Sequence, residues 1–143
     1  MADPCNLQRF VDAQQGVIEV ALAELSAGMK QSHWMWFIFP QLAELGRSPT
    51  AKFYGIASLE EANAYFDHPL LGARLRTCVE ALLAWAGRRT AVEIMGEIDA
   101  LKLRSSLTLF DRVAPGGPFL TGINLFFEGE RDKRTLALLN GQD

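Results

Sequence analysis

Two clusters hold the residues best suited to chemistry. The first is Ser32-His33-Trp34-Met35-Trp36-Phe37-Ile38-Phe39-Pro40-Gln41, where an imidazole stands at the mouth of six consecutive large apolar side chains. A histidine changes charge near neutral pH, so His33 can serve as a general acid or base. Its duller role is a half-buried imidazole bonded to a backbone carbonyl. The second cluster is Lys102-Leu103-Arg104-Ser105-Ser106-Leu107-Thr108-Leu109-Phe110-Asp111, with two cations and three hydroxyls inside seven residues. On a helix, Lys102 and Ser106 fall on one flank of the Leu103–Leu107–Phe110 ridge, and Arg104 and Thr108 on the other. Such a band can hold a phosphate or carboxylate, the guanidinium forking to two oxygens. It can equally be two solvated cations beside small residues that let helices pack closely.

Taken together, these stretches predict a pocket with a few polar anchors on an aromatic wall. In it His33 would be the catalytic acid or base, and Lys102 and Arg104 would bind an anion. Gln41 and Ser106 would orient the ligand, and Trp34 or Trp36 would stack on it. The expected partner is a small anionic metabolite, such as a nucleotide or sugar phosphate. This arrangement requires His33 and Arg104 to approach one another in the folded chain. The alternative is a protein-interaction module without chemistry, monomeric or homodimeric, whose aromatic load leaves a patch exposed.

Other chemistries have no footing in the pattern. The two histidines stand 35 positions apart and no CxxC occurs, so no metal site is expected. Gly116-Gly117 lies between prolines with no GK[ST] after it, GxSxG is absent, and no cofactor is expected. A net charge of −3, with both signs interspersed, speaks against a dedicated nucleic-acid or membrane-surface binder. No apolar run approaches the ~20 residues of a membrane span. Neither a basic nor an apolar leader region opens the chain, and Cys5 and Cys78 are too few and too far apart for a disulfide scaffold. The expectation is a cytoplasmic protein.

The elements that must position these residues read as all-α. A chain of 143 residues suits one domain, 1–143, able to bury roughly 68–70% of its unfolded surface. Asp3-Pro4 predicts a first helix to about Gln14. Val17, Ile18, Ala21, Leu22 and Leu25 form a 3.6-residue stripe closed by Gly28. Ser48-Pro49 opens a short helical turn, and Ser58–Glu61 and Thr90–Glu93 are capping boxes. Leu71 to about Ala86 reads as the longest helix, Asp99 as the cap of the next. Pro115-Gly116-Gly117-Pro118 breaks the chain before two last helices, Phe119–Phe127 and Asp132–Leu139. The apolar segment Trp34–Phe39 has no polar face as helix or strand, so other elements must wrap it. The expected architecture is one compact multihelical domain of about eight short helices around that buried aromatic segment.

Asp3-Pro4-x-Asn6-Leu7-x-Arg9-Phe10-Val11-x-Ala13-Gln14 joins the two clusters, the Ser48-Pro49-Thr50-Ala51 turn and the His68-Pro69-x-Leu71-Gly72 break in a wider pattern. Over nearly its whole length the chain resembles an uncharacterised family of small bacterial proteins, a domain of unknown function. The resemblance implies a compact multihelical fold and brings no catalytic residues. Members are sometimes called calpastatin. That name does not suit this composition, because such an inhibitor is polar, disordered and repeat-bearing, while this chain is 49% hydrophobic and unrepeated.

Overall fold

Gly96, at φ 87°, ends one helix and begins the next, so the chain turns there without a spacer. The shorter partner is α7 (Ala91–Met95). The longer, α8 (Glu97–Val113), is the axis of the molecule, touching four other helices along its 17 residues. The computed structural model describes residues 3–141; the reading of the leader rests partly on Met1 and Ala2, outside that range. In order come α1 (Gln8–Gln14), α2 (Ile18–Ser26), α3 (Met35–Ile38), a 3₁₀ turn (Ala43–Leu45), α4 (Pro49–Phe53), α5 (Leu59–Asp67) and α6 (Leu71–Leu83). Then follow α7, α8, α9 (Pro118–Phe127) and α10 (Lys133–Asn140). Among the described residues there is no strand, only one isolated parallel bridge between Leu42 and Ile56. The domain is all-α.

Helix α8 buries Ala100, Leu103, Leu107 and Phe110 against α5, α7, α9 and α10, as its i, i+3, i+4 ridge requires. Its small polar residues Ser105, Ser106 and Thr108 are buried too, and they let neighbouring backbones come close where longer side chains would hold them off. The apolar segment sits at the hub: Trp34, Met35, Ile38 and Phe39 are at most 2% exposed. Only four of its residues close a helical turn, α3, because Phe39 precedes Pro40 and takes an extended φ of −123°. Trp36 alone of the segment is half-buried.

Several boundaries differ from the sequence reading, each for a local reason. Among the described residues there are ten α-helices rather than about eight, since α3, α4 and α7 are one-turn pieces of four or five residues. Asp3 does not open a helix at Pro4. Its carboxylate instead reaches forward to the amides of Leu7 and Gln8, at 2.8 and 3.0 Å, and α1 starts only at Gln8. Asp99 is not a cap but lies in the first turn of α8, which makes α8 longer than α6. Ser58 does accept from the Glu61 amide, yet the Glu61 carboxylate turns away to Arg9 at 2.8 Å, leaving half a capping box. At Thr90 both halves form.

Candidate functional site

Glu24, on α2, folds the loop that carries the first cluster. Its carboxylate accepts from the Gln31 and Ser32 amides, the Ser32 hydroxyl and the Trp34 indole, all within 2.6–3.0 Å. Burial pushes this carboxyl up, but those four hydrogen bonds outweigh it and hold the pKa down at about 2. The loop is also tied to α7 through Lys30, whose amide donates to the Ile94 carbonyl at 2.7 Å. The Lys30 ammonium lies 2.8 Å from Asp99 and 4.8 Å from the centre of the Trp34 ring. Lys102 mirrors it, 3.7 Å from the other Asp99 oxygen and 4.9 Å from the Trp36 ring centre. Asp99 thus partly neutralises two ammonium groups that cap two indoles.

A second seam joins α8 to α10. The Thr108 hydroxyl donates to the Arg104 carbonyl at 2.7 Å and accepts from the Asp132 amide at 2.9 Å. The start of α10 is therefore pinned one turn from Arg104. The Asp132 carboxylate caps α10 by accepting from the Thr135 amide and hydroxyl. Asp111 holds Arg131 at 3.1 Å. Arg104 itself packs its guanidinium 5.9 Å from the Phe127 ring centre, and its Nε is buried with no hydrogen-bond partner.

Two of the open hollows beside these seams share a border. The first, about 540 Å³, is bounded by His33, Met35, Trp36, Met95, Ile98 and Lys102. The second, about 530 Å³, is lined by Gln41, Arg47, Lys102, Arg104, Ser105, Asp132 and Arg134, with Leu45, Ile98 and Leu101 as its apolar part. Ile98 and Lys102 belong to both. Four cations therefore line the second hollow; Lys102 is shared with Asp99, and the carboxylate in the lining, Asp132, is already engaged as a helix cap. Arg47 and Arg134 have no ion-pair partner among the described residues.

The predicted residues divide cleanly. Gln41, Lys102 and Arg104 share the second hollow, while His33 and Trp36 line the first with Lys102. His33 and Arg104 stand in adjacent hollows and share neither. The His33 imidazole is exposed, without a hydrogen-bond partner among the described residues, so no carboxylate orients it. Trp34 is 0% exposed with its N–H spent on Glu24, and Ser106 is 1% exposed, so both lie in the core and line neither hollow. Ser105 takes the place expected of Ser106. Arg47, Ile98 and Arg134 were not legible as site residues. The run Arg131-Asp132-Lys133-Arg134, three cations in four positions, was the available signal. Among the described residues no cluster of three or more His, Cys, Asp or Glu could hold a metal ion. Among those same residues, no helix is long and apolar enough to cross a membrane.

Comparison with known proteins places these features in a family. Residues 4–139 match the model described as "Protein of unknown function (DUF1810)", so the chain belongs to that family. The fold is similar to the crystal structure of the conserved hypothetical protein Rv1873 from Mycobacterium tuberculosis, at 48% identity and a TM-score of 0.93. That alignment covers 96% of this chain and 99% of the other. The curated proteins give no match.

Proposed function

We propose that this member of a family of unknown function binds a small phosphorylated anion in the hollow between α8 and α10. One observation carries the reading: Arg47, Arg104 and Arg134 line one space beside Lys102, which Asp99 partly neutralises, and the carboxylate lining that space, Asp132, is turned to a helix cap, in a chain of net charge −3. Cations gathered at one point of an acidic protein are mutually repulsive until an anion joins them. Gln41 is held at the rim because its carbonyl accepts from the Ile56 amide at 2.9 Å in the isolated bridge.

The reading is of binding. Among the described residues, His33 lacks the orienting partner that acid–base work needs. The interaction-module alternative drew on the aromatic load, and the hub of that load is spent inside: Phe10, Trp34, Phe39, Tyr65, Phe110 and Phe119 are all at most 1% exposed. Two free thiols suit a reducing compartment, and on that ground we assign the protein to the cytoplasm.

Thermal shift with inorganic phosphate, pyrophosphate, sugar phosphates, nucleotides and carboxylates tests the site. A ligand present at about 100 times its Kd adds about 2.7 kcal/mol to stability, an easily read rise in Tm. Arg104→Gln should abolish the rise while melting close to wild type, since its Nε makes no hydrogen bond to lose. No response to any anion would end this reading.

A further inference from the structure

We infer that the ligand is a nucleoside phosphate, its base in the His33–Trp36 hollow and its phosphates among Arg47, Arg104 and Arg134; this rests on the anion-site reading above. The two hollows differ in kind. One has the apolar walls Met35, Trp36, Met95 and Ile98, with its two lysines balanced by Glu97 and Asp99, and the other gathers three arginines beside Leu45 and Leu101. Each has the size of a small-molecule site, within ~300–1,000 Å³. They meet at Ile98 and Lys102, so one molecule can lie across both. The Lys102 ammonium, 4.9 Å from the centre of the Trp36 ring, stands where the apolar part of a ligand must give way to its charged part.

The ridge between the hollows points the same way. Ile98, 73% exposed, borders both hollows, while Leu101, 58% exposed and one turn further along α8, lines the second. A bare phosphate or a sugar phosphate would leave Ile98 in water, whereas a planar base beside Trp36 covers it. His33 and Glu97 at the rim supply the donor and acceptor that the edge of a base requires. A long nucleic acid fits less well, because Lys30 and Lys102 already share Asp99, and Arg131 is already paired with Asp111.

Titration calorimetry of the full chain at low salt decides the matter, using ADP, GDP, CDP and UDP beside pyrophosphate, ribose 5-phosphate and a single-stranded decanucleotide. At least one nucleoside diphosphate should bind about tenfold more tightly than pyrophosphate or ribose 5-phosphate, the scale of one base stacked on an aromatic ring. Trp36→Leu and Ile98→Asn should each erase most of that preference, weakening the nucleoside diphosphate severalfold more than pyrophosphate, since Ile98 borders both hollows. Ile98 is at the surface, so its variant folds and decides alone if Trp36→Leu does not. Equal affinity for pyrophosphate and the nucleotides would overturn the nucleotide and leave the anion site standing. An unaltered preference in Ile98→Asn would overturn the placement of the base. A decanucleotide bound far more tightly than any mononucleotide would show a polymer site instead. Silence from every anion would sink the anion reading along with this one.

Discussion

Among single residues, Glu24 has the most to lose. Its carboxyl is ionised down to about pH 2 in the folded chain, against an ordinary value of 4.5. The stability it contributes is therefore fully present above pH 4.5 and lost as the pH falls toward 2. Glu24→Gln should cost about 1–3 kcal/mol at neutral pH. Denaturant melts at pH 7 and pH 3 should also show the variant losing less on acidification than wild type. An equal loss in both proteins would mean that the clasp on residues 31–34 does not operate. Legibility at this scale was uneven. Lys102, Arg104, Gln41 and Trp36 announced themselves by type. Glu24 carries no such signal, because its four donors come from a loop that period and propensity do not describe. Trp34 and Ser106 were placed on the ligand because neighbours in sequence look like neighbours in space, and half of each cluster turns inward.

Helix starts and stops followed the capping chemistry wherever it was complete, as at Ser48, Thr90 and Asp132. It misled where a carboxylate found a distant partner. Asp99 left the cap for Lys30, and Glu61 left it for Arg9, pairings of long sequence separation that no local rule contains. The α5–α6 corner carries a sharper test. A Cβ on Gly72 would stand 2.0 Å from the Phe66 carbonyl oxygen, closer than any real contact, and the obstacle is backbone that cannot swing aside. Gly72→Ala should cost about 3 kcal/mol, the upper end of overpacking, as measured by urea unfolding. Gly87→Ala is the control: its Cβ would meet nothing within 4 Å, and only the left-handed φ of 79° opposes it, about 1 kcal/mol. Similar costs at the two sites would refute the close approach of the two helices.

Over the whole molecule, one core built on α8 makes opening a global event. Cys78, on α6, is fully buried, and burial pushes its thiol up to about 12, with Arg74 offsetting only part of that. In Cys5→Ser, a thiol reagent at pH 8 should therefore react at the rate of global unfolding and quicken with denaturant. Prompt labelling in native buffer would show an opening that bypasses the core. Charge at this scale hid from composition: a net −3 is correct and says nothing of four cations meeting at one hollow. The Thr108 hydroxyl, which joins the backbones of Arg104 and Asp132, has a consequence for time as well as shape. The hollow is complete only when the final helix has docked, so an occupant touching both Arg104 and Arg134 acts as a latch. Amide protons along residues 133–140 should then exchange more slowly in its presence, while those of α2, across the core, keep their pace.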